Sequence, residues 1–138
     1  MLFEFDGKRP KVGSGCYIAT SAEVIGDVVI GDGSYIGPGA KILGDFGKVR
    51  IGSGTAIEEN VVVHARPNKE CVIGNSVTVG HSSVLHDCVV KDYAVIGMGS
   101  VVSDFSTVGE WAAVGEGATV VSGTSIPPRK VAVGIPAK

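Results

Sequence analysis

Several protein classes are excluded by what this chain lacks. No apolar stretch approaches the roughly 20 residues that a bilayer-spanning helix needs, and no basic run or signal peptide is present, so a soluble cytoplasmic protein with no membrane partner is expected. Lys and Arg total 12 against 14 Asp and Glu, a net charge of −2, which provides no electrostatic case for nucleic acid. No disulfide is expected among the three cysteines of a cytosolic chain. Aromatic residues and leucine are scarce. Glycine is abundant, with 21 residues, but lacks the every-third-residue period of collagen. Valine, isoleucine and glycine rich in this way, the chain reads as many short strands joined by tight turns. At 138 residues it is one domain, residues 1–138.

What is present is a period. Nineteen aliphatic residues recur with a spacing of six: Val12, Ile18, Val24, Ile30, Ile36 and Ile42; then Ile51, Ile57 and Val63; then Ile73, Val79 and Leu85. After one five-residue step the series continues through Val90, Ile96, Val102, Val108, Val114, Val120 and Ile126. Short repeats of this kind bury their apolar faces only by stacking on one another. Nine of the nineteen are followed by glycine, and in eighteen the residue two positions earlier is small or valine. Strand side chains alternate between faces, so the ladder residue and the one two before it point inward, while their neighbours point outward. The remaining two residues make a corner. Three such sides close a triangular turn of 18 residues, and the ladder supplies about six coils over residues 10–136.

The ladder is interrupted twice. Ile42 to Ile51 is three residues too long and Val63 to Ile73 four too long, so excursion loops are expected at residues 43–50 and 65–72. The cysteines Cys16, Cys71 and Cys88 all fall in the small inward slot and are expected to be buried filler.

The only histidines are His64, His81 and His86. His64 and His86 follow ladder residues and point outward. Three sides separate them, so they stack on neighbouring coils, the separation that two imidazoles need to share one metal. His81 lies at the corner of the preceding side. It reaches the other two only from a neighbouring subunit, and three neutral imidazoles with an open fourth position make a catalytic metal site of the zinc type.

The hexapeptide pattern resembles the left-handed parallel β-helix, a fold shared with acyltransferases. Within it, Val62-Val63-His64, Val79-Gly80-His81-Ser82-Ser83-Val84-Leu85-His86 and Val95-Ile96-Gly97-Met98-Gly99-Ser100 resemble the γ-class carbonic anhydrases. That resemblance implies an all-β homotrimer with His64, His81 and His86 as metal ligands, the middle one supplied by the adjacent subunit. It implies Zn2+, or Fe2+ or Co2+, as cofactor, and reversible hydration of carbon dioxide to bicarbonate by a metal-bound hydroxide. Three positions depart from the family pattern. Leu43-Gly44-Asp45 stands where the family has Arg-Gly-Asp, removing an arginine that pairs across subunits, although Asp45 is kept as a catalytic-group candidate. Ala56-Ile57-Glu58-Glu59 stands where the family has Asn-x-Gln-Asp. Glu58 then takes the place of the solvent-orienting glutamine, and Glu59 or Glu70 serves as the group passing protons to bulk water. Gly134-Ile135-Pro136-Ala137-Lys138 matches the lead into a C-terminal helix, which is expected to be absent or truncated. Competing expectations are a hexapeptide acyltransferase using one histidine as base, a metal-dependent thioesterase, and a catalytically weak metal-binding scaffold.

Overall fold

The computed structural model describes residues 1–138 as a parallel β-solenoid of about seven turns, with nineteen strands and no helix. The ladder residues form three vertical stacks in which each rung pairs in register with the one 17 to 22 positions away. One stack is Leu2, Val24, Ile42, Val63, Leu85, Val102 and Val120. The second is Val12, Ile30, Ile51, Ile73, Val90, Val108 and Ile126. The third is Ile18, Ile36, Ile57, Val79, Ile96, Val114 and Ala132. The coil is therefore longer than the ladder at both ends: Leu2 is ten residues from Val12, outside the six-residue period, and Ala132 is too small to register as an aliphatic rung.

Every rung from Val24 to Val120 is buried. The slot two residues earlier is buried as well, and where it is polar its hydroxyl donates to a carbonyl of the coil above: Ser34 to Gly52 at 2.8 Å, Thr55 to Gly74 at 2.7 Å, Ser83 to Gly97 at 2.9 Å and Ser100 to Gly115 at 2.8 Å. A small hydroxyl thus fits a dry slot because it carries its own partner. Cys71 and Cys88 occupy the same slot on successive coils as free, buried thiols with sulfurs 3.8 Å apart, while Cys16, near the first turn, is only half-buried.

The excursions are narrower than their sequence bounds. Strand Lys41–Ile51 runs unbroken through the first. Leu43 and Gly44 pair with Ile25 and Gly26 below, and Lys48, Val49 and Arg50 pair with Glu70, Cys71 and Val72 above, so only Asp45, Phe46 and Gly47 leave the ladder. The second excursion ends at Lys69, because Glu70–Ile73 is a strand. At the bulge two backbones nearly touch: a Cβ on Gly44 would lie 2.4 Å from the Asp27 carbonyl oxygen, and Gly26 has φ +75°. At the C-terminal end, Gly134 to Ala137 form turns rather than a helix, and the Ala137 amide donates to the Thr119 carbonyl at 2.8 Å, covering the last coil. No helix is long and apolar enough to cross a membrane.

Candidate metal centre

His64 and His86 end the strands Val62–His64 and Val84–His86, which pair with the two histidines directly opposite each other. Buried Val63 and Leu85 anchor the strands, so the alternation of faces turns both imidazoles outward. Their ring centroids are 5.1 Å apart at an interplanar angle of 62°.

Each imidazole is held by a carboxylate from an adjoining coil. His64 Nε2 donates to Asp45 Oδ1 at 2.9 Å, and the same oxygen accepts the Phe46 amide at 2.8 Å. The bulge at residues 45–47 is what swings Asp45 up to His64. His86 Nδ1 donates to Asp104 Oδ1, while Asp104 Oδ2 pairs with Arg66 Nη2 at 2.6 Å. The hydrogen bond from His86, with the Arg66 guanidinium beside it, holds the Asp104 carboxyl below the usual carboxylate range. Arg66 in turn lies over the Phe105 ring, 5.6 Å from its centroid.

His81 lies on a different edge of the prism. Its Nδ1 donates to Glu59 Oε2 at 2.6 Å, with Glu58 Oε2 at 3.3 Å, and its backbone N–H donates to Glu58 Oε2 at 3.2 Å. Glu59 Oε1 accepts the Tyr35 hydroxyl at 2.8 Å. That bond lowers the Glu59 carboxyl below its ordinary value and raises the Tyr35 phenol above its own, since each stabilises the form the other needs. No three metal-capable side chains of one chain converge on a point.

Of the residues singled out in the sequence, His64, His86 and Asp45 come together. His81 is grouped with Glu58 and Glu59. Glu70 joins neither group: it is bound by Arg50 Nε at 3.3 Å, and Arg50 also grips Asp27 at 2.8 Å, so the carboxylate is spent tying excursions together. Asp104, Arg66 and Tyr35 were not anticipated. The signal for Asp104 was available, since the turn that stacks Leu85 under Val102 puts Asp104 one residue past the position above His86, at the same corner.

Residues 9–44 match the family model described as bacterial transferase hexapeptide (six repeats), and the three-sided coil with its six-residue unit is the left-handed β-helix of that family. The carbonic anhydrase of Geobacillus kaustophilus is 39% identical over 138 residues, all of this chain and 76% of that protein. Gamma carbonic anhydrase 2, mitochondrial, of Arabidopsis thaliana is 44% identical over 95% of this chain, which spans only 49% of that relative. A crystal structure of a putative acetyltransferase from Bacillus cereus superposes with a TM-score of 0.98 at 37% identity, covering 100% of this chain and 80% of that one. The chain belongs to the hexapeptide-repeat, left-handed β-helix family that includes the γ-class carbonic anhydrases and the carnitine operon protein CaiE.

Proposed function

We propose that this protein is a metal-dependent, γ-carbonic anhydrase-like enzyme, acting as a homotrimer on carbon dioxide and bicarbonate. The observation that carries the reading is the in-register pair His64 and His86 on one edge with His81 on another. Around a three-fold axis, His64 and His86 of one protomer and His81 of the partner subunit would hold one divalent ion.

The donor set fits such an ion. Each imidazole gives one ring nitrogen to a carboxylate and keeps the other free: Nδ1 of His64, Nε2 of His86 and Nε2 of His81. Three neutral imidazoles suit Zn2+, Fe2+ or Co2+ alike. When bound, such an ion supplies the Lewis acidity that makes water acidic near neutral pH, the effect known for zinc in carbonic anhydrases. The chain's own groups do the rest. Asp45 and Asp104 orient the two stacked rings. Glu58, whose Oε2 accepts from the His81 backbone at 3.2 Å, is the carboxylate beside that ligand left to order solvent. Both oxygens of Glu59 are occupied, by Tyr35 and His81, which makes it a holding group rather than a proton carrier.

Oxygen exchange between carbon dioxide and water, measured on the zinc-loaded protein beside His81→Ala, tests the reading. Exchange above background, reduced roughly 100-fold in the variant, supports it. Bound zinc without exchange overturns it in favour of the scaffold, to which Leu43 and Ala56 already incline, or of a thioesterase if acyl-coenzyme A is hydrolysed. Acetyl transfer from acetyl-coenzyme A by metal-free protein would instead make it an acyltransferase.

A further inference from the structure

Tyr35 is the one aromatic residue whose polar end is built into the histidine networks. It lies on the outward side of the third face, paired in register with Ala56 above and Tyr17 below. The rings of Tyr17 and Tyr35 stack at 5.3 Å with only 9° between their planes, which fixes the direction of the phenol. Room for it is provided by Gly37, where a Cβ would come within 3.1 Å of the Tyr35 ring and 2.9 Å of the Glu59 amide nitrogen. The hydroxyl reaches Glu59 Oε1, and Glu59 Oε2 reaches His81 Nδ1.

We infer that Tyr35 is a positioning residue for His81, acting through Glu59 to fix which imidazole nitrogen faces the neighbouring subunit. The inference rests on the metal reading above and deepens it. The argument is one of donors and acceptors. An ionised carboxylate only accepts, so the proton must sit on His81 Nδ1 and the lone pair on Nε2. That assignment holds as long as Glu59 stays in place. A glutamate on a surface corner has several rotamers, and two anchors, the phenol and the imidazole, select one of them. Without the phenol, Glu59 keeps only its contact with the ring it is meant to orient, and Glu58, at 3.3 Å, is the longer substitute. The Tyr17–Tyr35–Glu59–His81 series then carries rigidity from the stacked aromatics on the face to a ligand that must project outward without support from its own coil.

The test uses the 138-residue chain and its Tyr35→Phe, Glu59→Ala and His81→Ala variants. Tyr35→Phe keeps the ring and its stacking and deletes only the hydroxyl. Nitrogen-15 chemical shifts of the His81 ring in metal-free protein report the tautomer directly. In the wild type they should show the Nδ1–H form, with the Nε2–H form gaining in Tyr35→Phe. Zinc affinity, measured by competition with a chelator, should fall roughly 10-fold in Tyr35→Phe and up to about 100-fold in Glu59→Ala. A Tyr35→Phe protein with wild-type tautomer and wild-type zinc affinity overturns the inference. If His81→Ala loses zinc while Tyr35→Phe does not, the metal site stands and this role alone falls. If His81→Ala binds zinc as tightly as wild type, the metal reading fails and takes this role with it.

Discussion

Asp104 lies on the coil above His86, one residue past the position that stacks directly over it, and accepts the proton of its Nδ1, so a ligand candidate and its carboxylate meet at the corner between two coils. The other oxygen of Asp104 is occupied by Arg66, from the excursion that follows His64. Removing Asp104 frees the His86 ring and strands the arginine. Asp104→Ala should weaken zinc binding by roughly 10- to 100-fold. Arg66→Ala, which leaves the His86 contact intact, should cost less than Asp104→Ala. Chelator competition on the two variants ranks them, and equal losses would show that the guanidinium matters as much as the carboxylate.

Asp87 follows His86 at the only corner that is one residue short. It has φ 47°, is buried, and carries a carboxylate oxygen with no hydrogen-bond partner. Both features cost stability, one through the left-handed backbone and one through desolvation. Asp87→Gly removes both, against a loss of about 0.4–1 kcal/mol from a freer unfolded chain, and should leave a small net gain, read as a higher urea midpoint at unchanged slope. A lower midpoint would mean that the carboxylate has a partner worth more than its strain.

The buried ladder was legible because a six-residue period constrains every inward position at once: a polar rung anywhere from Val24 to Val120 would have broken it. The same period placed His64 over His86 and kept His81 apart. It did not reach the groups that hold them. Tyr35 and Glu59 are 24 residues apart, more than one turn, and meet because two long side chains lean along the face, a matter of rotamers rather than of register. Glu70 is exposed, as its position at the end of an excursion suggested, but the period gave no sign that Arg50 would pair with it there. The bounds of the first excursion were also too wide, since extra residues in a strand can be absorbed as a bulge while the flanking ladder stays paired.

That bulge depends on close backbone contact between coils. A methyl group on Gly44 would lie 2.4 Å from the Asp27 carbonyl oxygen, an atom that cannot move without disturbing its own strand. Gly44→Ala should therefore destabilise the fold by about 2–3 kcal/mol, as overpacking does. Because Asp45 is the next residue, the zinc affinity of the folded protein should fall as well. Urea denaturation and chelator titration of the same preparation give the two effects separately.

Leu85 carries His86 on its C-terminal side and is fully buried in the first stack. Leu85→Ala should cost about 2–5 kcal/mol, the range for emptying a close-packed site. Val120, in the same stack but two coils above, can be replaced by alanine as a control. If both substitutions destabilise but only Leu85→Ala weakens zinc binding, the loss traces to the strand that presents His86 rather than to general loosening of the coil.

If a metal is shared between subunits as proposed, assembly and metal binding form a single equilibrium, because the ion would bind the trimer better than the separated protomers. Stripping the ion with a chelator should lower the melting temperature of that trimer and raise the protein concentration at which it dissociates. His81→Ala should behave like the stripped wild type, and added zinc should rescue the wild type but not the variant. The departure at Leu43 sharpens this expectation: where the family pattern has an arginine that pairs across subunits, this chain has an aliphatic residue, so more of the cohesion between protomers falls to the histidines. Sedimentation velocity with and without chelator, over a range of protein concentrations, measures it. A trimer equally stable without metal would place the cohesion in the apolar faces of the coil, and a monomer that retains tight zinc binding would remove the shared site altogether.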